Sequence, residues 1–250
     1  MNFLVTQFTS LLIFLNSVLG SLGWSIIVFT LIIRVVLLPL TLSSIRAQKK
    51  LRDLQPELKK LNRQHKNDKQ TLQRAQLELY QRYNINPLAG CLPQLLQIFV
   101  LIVLYRALLL FLDGGIQNGT NLEFFWLNLA QPDPIYVLPV LAAAAQFVLS
   151  LMIAPGAEIS DVASNTAMSK AAQKANKKEE DTAEMAATMQ QQMLFIMPIM
   201  TGILALRFPA GLSLYWVAAT VFSIVQQYFV SGWGGLTTYY RRIVGSHAKN

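Results

Sequence analysis

Hydrophobic residues fall into blocks along this chain. Leu22–Leu42, Leu92–Leu112, Ile135–Ile153, Met193–Phe208 and Leu212–Val230 each approach the ~20 apolar residues a helix needs to cross a ~30 Å hydrocarbon core. The pattern predicts an all-α integral membrane protein with five transmembrane helices, at 22–42, 92–112, 135–153, 193–208 and 212–230. The fourth is short and ends at Pro209, so it and the fifth form a hairpin with a very tight turn. Ahead of them Leu4, Phe8, Leu11, Leu12, Leu15 and Leu19 recur at helical spacing among Thr9, Asn16 and Ser17. Residues 1–21 therefore read as an amphipathic helix on the outer surface, with a sixth span as the alternative.

Between the first two spans the period changes. Ala47, Leu51, Leu54, Leu58 and Leu61 follow a 4-3-4-3 spacing, and Leu72, Ala75, Leu79 and Tyr83 make a second stripe after the polar stretch Asn62–Gln70. Segment 43–91 thus predicts a helical hairpin that buries both stripes and shows Lys49, Lys50, Lys59, Lys60, Lys66 and Arg74 outward. Asp68 is the expected N-cap of its second helix, and Pro56 must kink the first or mark a restart. Such thin stripes predict a mobile pair, suited to capping an entrance. The basic face is either simply solvated or a contact for anionic headgroups, an emerging client or a ribosome. Segment 113–134 reads as an external loop, 154–192 as an Ala-, Lys- and Glu-rich loop that is partly helical, and 231–250 as a tail.

Composition agrees, with 53% hydrophobic residues, 14% charged and a mean hydropathy of +0.39. A net charge of +8 would suggest nucleic acid in a soluble protein, but here its placement gives a topology and no specific nucleic-acid partner. Segment 43–91 holds eleven Lys or Arg, 154–192 adds Lys170, Lys174, Lys177 and Lys178, and the tail adds Arg241, Arg242 and Lys249. Residues 1–21 carry no charge, and 113–134 carries only Asp113, Glu123 and Asp133. The positive-inside rule puts the N-terminus outside and the C-terminus in the cytoplasm, as five spans require. The single cysteine, Cys91, can form neither an internal disulfide nor a metal site, and reads as a small residue at a helix entrance. The N-terminus has neither the basic flank of a secretory signal nor the arginines of a transit peptide.

Arg34 is the residue most in need of explanation. Its guanidinium cannot deprotonate and costs about 2.5–3.5 kcal/mol in mid-span even on the lenient insertion scale. In a straight helix from Leu22 it would lie ~18 Å from the outer interface. Arg106 and Arg207 differ, because each can snorkel from the end of its helix. Other spans offer polar company: Thr30 and Thr41 in the first, Gln94 and Gln97 in the second, Gln146 and Ser150 in the third, and Ser223, Gln226 and Gln227 in the fifth. On the fifth, Trp216, Thr220, Ser223 and Gln227 share one face. Any one of these groups is explained as interhelical glue, worth about 0.6 kcal/mol. No Asp or Glu lies in a span to pair with Arg34, which points to a hydrated, positively charged cavity open to the cytoplasm.

Catalytic parts are scarce: no carboxylate within a span, only His65 and His247, and no phosphate-binding loop. The expectation is a protein that is not an enzyme, with no catalytic residues, metal or cofactor. Two readings remain, a small-anion transporter and a chaperone for entering membrane proteins. Transporters usually carry internal repeats, and none is visible here. A polar groove through half the membrane would instead shorten the crossing of a client's polar flank, and Arg34 would favour acidic flanks over basic ones.

The motifs sharpen this. LGWSIIVFTLIIRVVLLPLTL at 22–42, LQPELKKL at 54–61, LYQRYNINPLAGCLPQLLQ at 79–97, LYRAL at 104–108, FFWLNLAQPDPIYVLPVL at 124–141, FPAGLSLYW at 208–216 and QQY at 226–228 resemble, in this order, the YidC family of membrane protein insertases. The resemblance covers roughly residues 20–230. It implies a five-helix core, a cytoplasmic helical hairpin and a lipid-exposed groove whose essential charge is Arg34. It also implies groove-lining roles for Gln146 and Trp216, although Trp216 equally suits an interfacial belt. The implied partners are nascent membrane protein clients, the lipid bilayer, the Sec translocon, and a ribosome or signal recognition particle. The large external domain of Gram-negative members and the lipobox cysteine of many Gram-positive ones are missing, and the short tail is a poor ribosome tether. A bacterial plasma membrane is the implied home, with a thylakoid as the alternative.

Overall fold

The computed structural model describes residues 2–65, 68–85, 92–115, 121–153 and 182–237. Cys91 and most of the loop 154–192 lie outside them. The elements are α1 (Asn2–Leu19), α2 (Leu22–Val36), α3 (Leu38–Asp53), α4 (Gln55–Gln64), α5 (Lys69–Arg82), α6 (Leu92–Gly115), β1 (Glu123–Phe124), β2 (Leu127–Asn128), α7 (Val137–Ile153), α8 (Thr182–Arg207) and α9 (Ala210–Ser231). Helices dominate, and the apolar blocks supply their lengths. The all-α expectation missed one feature, the two-residue antiparallel hairpin β1–β2, which pairs Glu123 with Asn128 and Phe124 with Leu127.

Helix α9 is the hub. It packs against α2, α3, α6, α7 and α8, and every residue from Ala210 to Trp216 is buried. On one side α1, α2 and α6 pack together; on the other α7 packs with α8. The core of the first group gathers Leu12, Leu22, Ile26, Phe29, Val103, Leu104 and Leu108 around Leu212 and Tyr215. Among the described residues two helices, α1 and Leu92–Leu112 of α6, are long and apolar enough to cross a membrane. Helices α2 and α3 supply a third when taken as one broken span. The N-terminal helix does not stand apart from the bundle: Phe8 meets Phe29 edge-on at 5.1 Å, and Thr9 donates to the Ala107 carbonyl at 3.3 Å. Helix α8 starts at Thr182, ahead of the expected Met193.

The segment before α7 stitches the bundle. Asp133 is buried and caps α7, its carboxylate accepting from the backbone N–H of Ile135 at 3.1 Å and of Leu138 at 2.7 Å. The first N–H groups of α9 have no partner inside their own helix. Ala210 donates instead to the Gln131 carbonyl at 2.7 Å and Gly211 to the Leu129 carbonyl at 3.1 Å. A side chain at Gly211 would press on Leu129, Ile26 and Leu108, so the close approach needs glycine.

Within the basic segment α4 and α5 pack against each other. Pro56 marks a restart: α3 ends at Asp53, Leu54 bridges, and Pro56 sits in the first turn of α4, where its missing N–H costs nothing. Helices α4 and α5 close on Leu54, Leu58 and Leu79, with Ile85 completing the small cluster and Tyr80 packed beside it. Tyr83, expected in the stripe, is exposed and donates its hydroxyl to Glu57 at 2.9 Å. Asp68 caps α5 as expected, accepting from the backbone N–H of Thr71 at 3.0 Å and from its hydroxyl at 2.6 Å. Those bonds hold its carboxyl below the usual carboxylate range.

Candidate functional site

A break in the first predicted span positions the site. Pro39 has no N–H to offer the Val35 carbonyl, so α2 stops at Val36 and Leu37 closes it, its N–H bonding the Ile33 carbonyl at 2.9 Å. Helix α3 restarts with Pro39 in its first turn, and the two segments meet at 67°. The span expected at 22–42 is therefore two helices. Arg34 stands in the last turn of α2 rather than midway along a straight helix. There the free carbonyls of the helix end favour a cation.

Arg34 donates from Nη2 to Oε1 of Gln97 on α6 at 2.6 Å, and the other end of that amide, Nε2, donates to the Tyr215 hydroxyl on α9 at 3.2 Å. One chain of polar groups thus joins α2, α6 and α9. Among the described residues no carboxylate pairs with Arg34; the one ion pair is Arg52 with Asp53 at 3.9 Å. Around the guanidinium lies a small pocket lined by Thr30, Ile33, Leu37, Thr41, Pro93, Leu96, Gln97, Val100 and Tyr215. Its walls are largely apolar, which strengthens the electrostatic pull on anything that enters.

The residues singled out in the sequence divide into two groups. Arg34, Thr30 and Gln97 come together at the pocket, where Thr30 is buried and gives its hydroxyl to the Ile26 carbonyl at 2.6 Å. Gln94, one turn before Gln97, is half-buried outside the lining. Gln146 and Ser150 are half-buried on α7 and do not line the pocket. On α9, Thr220 and Gln227 are buried, and Ser223 donates to the Ala219 carbonyl at 3.0 Å. Trp216 is buried against Phe208, their rings stacked with centroids 6.4 Å apart.

The sequence missed Tyr215. It reaches the pocket from the face of α9 adjoining the one that was singled out. On that same face Gln226 donates to Thr41 of α3 at 3.1 Å. Tyr215 and Gln226 repeat the spacing of Trp216 and Gln227, eleven residues in each case. Both faces pair an aromatic residue with a glutamine, so spacing alone could not choose between them.

A bundle of apolar helices holding a guanidinium that no carboxylate pairs among the described residues defines a helical membrane protein. Known families agree. The family model described as 60Kd inner membrane protein matches residues 14–234, and the chain belongs to that family. The membrane protein insertase YidC of Fusobacterium nucleatum is 36% identical over 211 residues, covering 84% of this chain and 86% of that protein. The insertase MisCA of Bacillus subtilis is 36% identical over 215 residues, covering 84% and 70%. The longer YidC of Geobacter sulfurreducens is 32% identical over 219 residues, 87% of this chain but 35% of that protein. A crystal structure of an active YidC insertase, with its first transmembrane domain resolved, superposes with a TM-score of 0.63 at 21% identity. The match covers 90% of this chain and 46% of that one, and establishes a shared fold. The likeness read from the motifs is thus family membership.

Proposed function

We propose that this chain helps other membrane proteins enter the bilayer, with the Arg34 pocket as the polar station on their way. The observation that carries the reading is a guanidinium held in an apolar bundle by the Gln97 amide, with no carboxylate beside it among the described residues. Two relatives, each 36% identical and one of them of nearly this chain's length, are named insertases. A client helix gains by partitioning into lipid, but its polar flank must cross first, and one central charge costs about 2.5–3.5 kcal/mol. Arg34 would lower that cost for an acidic flank and raise it for a basic one, while the apolar segment leaves sideways into lipid.

In this reading five spans form the core: α2 with the start of α3, α6, α7, the apolar end of α8, and α9. The N-terminus lies outside and the C-terminus in the cytoplasm, with the α4–α5 hairpin on the cytoplasmic side. The client path extends from Arg34, Thr30 and Gln97 over Gln94, Gln146, Ser150, Trp216, Thr220, Ser223 and Gln227. The protein acts as insertase and chaperone in a bacterial plasma membrane, on nascent clients delivered by a ribosome or signal recognition particle, alone or beside the Sec translocon.

The test is reconstitution into liposomes with a short single-span client bearing an acidic external flank, scored by protease protection. The expected result is protection that depends on the protein, is lost in Arg34→Ala and is largely kept in Arg34→Lys. Protection no greater than in empty liposomes would end the proposal.

A further inference from the structure

Arg34 is not positioned by its own helix alone. A guanidinium can only donate, so the Gln97 atom 2.6 Å from it must be the amide oxygen. The amide nitrogen then faces Tyr215, whose hydroxyl accepts from it at 3.2 Å. Nothing in a glutamine side chain prefers one orientation of its terminal amide: rotation by half a turn exchanges oxygen for NH2 with almost no change of shape. Turned that way, Gln97 would present donors to a group that has only donors. Arg34 itself opposes that turn, while the buried Tyr215 hydroxyl, able to accept from or donate to the far end of the amide, is the tether that holds it within reach of the guanidinium.

We infer that Tyr215 is a positioning residue: through the Gln97 amide it fixes the Arg34 guanidinium in the pocket and thereby sets the preference for acidic over neutral flanks. The second half of this statement rests on the insertase reading; the first does not. Thr30 and Thr41, the other hydroxyl-bearing residues of the lining, give their protons to the Ile26 and Leu37 carbonyls of their own chain turns and do not compete for the amide. Tyr215 belongs to the helix that packs on α2, α3, α6, α7 and α8, so the amide is tethered to the hub of the bundle.

The experiment follows phenylglyoxal modification of individual arginines in the reconstituted full chain by peptide mass spectrometry. The exposed Arg106 and Arg207 serve as internal references. Tyr215→Phe is expected to speed modification at Arg34 by about fivefold, the order a single hydrogen bond of ordinary net worth sets, with the references unchanged. In a Gln97→Leu background the same substitution should have no effect, because the amide that links Tyr215 to Arg34 is gone. Unchanged Arg34 reactivity in Tyr215→Phe, or an equal rise in both backgrounds, would overturn the positioning role; the second outcome is what loose packing alone would give.

The companion measurement is the ratio of acidic-flank to neutral-flank client inserted. It should fall in Tyr215→Phe, and be no lower in the Gln97→Leu, Tyr215→Phe double variant than in Gln97→Leu alone. A ratio unmoved by Tyr215→Phe but moved by Arg34→Ala would refute the specificity claim and leave the insertase reading standing. Failure of the unsubstituted protein to insert either client would remove that reading and the specificity claim together, while the reactivity comparison would still decide the positioning claim.

Discussion

Arg52 donates through Nη1 to the carbonyl oxygen of Met152 at 3.3 Å, setting the basic end of α3 against the C-terminal end of α7. Lys49 does the same for α9, reaching the Val230 carbonyl at 3.3 Å. Both carbonyls belong to last turns, where C=O groups lack partners within the helix and the dipole favours cations. These two contacts tie the helix that leads into the α4–α5 pair to the bundle. A cation at a helix C-terminus is worth about 0.3–1 kcal/mol where exposed, as Lys49 is, and up to ~2 kcal/mol where partly buried, as Arg52 is. The double variant Lys49→Gln, Arg52→Gln should therefore raise amide exchange across residues 44–54 while shifting the melting temperature of the bundle little. Exchange unchanged from the parent would show the contacts to be incidental.

The hairpin has a hydrophobic cluster of its own, Leu54, Leu58, Leu79 and Ile85, separate from the main core. Cutting Leu58 to Ala removes a buried side chain from a set too small to compensate, at a cost of about 2 kcal/mol. Exchange protection should collapse from Gln55 to Arg82 and stay intact in α6 and α9. Loss of protection throughout would mean that the bundle needs the closed hairpin to fold.

How far the sequence led depended on which forces acted at each place. Hydropathy located α6, α7 and α9 within a few residues because solvent preference dominates there. The Asp68 cap and the Pro56 restart were legible because both are local chemistry. The break at Leu37 was harder to see: Pro39 was visible, but an apolar run gives no sign whether a proline kinks a span or ends a helix. Tyr83 falls out of the stripe because α5 ends at Arg82, which leaves its ring beyond the last helical residue and bonded to Glu57, while Tyr80 packs beside the cluster. Tyr215 was overlooked because a tyrosine in a span reads as apolar until its hydroxyl has a partner. The β1–β2 hairpin is too short to show any alternation.

Glycines should be among the positions least tolerant of change. A Cβ at Gly211 would stand 3.1 Å from the Leu129 carbonyl oxygen, 3.2 Å from Ile26 and 3.3 Å from Leu108. At Gly23 it would fall inside the Phe124 ring, which belongs to the β-hairpin. Gly211→Ala is expected to lose about 1–3 kcal/mol by overpacking a contact that includes rigid backbone. Gly23→Ala has to push the hairpin aside, since the ring cannot yield in place. Thermal unfolding in detergent should fall for both, and Trp126 fluorescence, a reporter in the hairpin turn, should change only in Gly23→Ala.

The bond between Gln226 and Thr41 allows a sharper test of what a buried polar contact contributes. Both residues are buried, with the Gln226 amide donating to the Thr41 hydroxyl at 3.1 Å while that hydroxyl gives its own proton to the Leu37 carbonyl at 3.1 Å. The threonine therefore satisfies α9 and the break after α2 at once. Thr41→Val keeps the shape but strands the amide and the carbonyl, and should cost about 1–3 kcal/mol. Thr41→Ser keeps the hydroxyl and should recover most of it. Adding Gln226→Leu to Thr41→Val removes the stranded amide, so the double variant should be more stable than Thr41→Val alone. Were it less stable, the glutamine would be held by contacts other than this hydroxyl, and the link between α9 and α3 would have to be sought in their apolar packing.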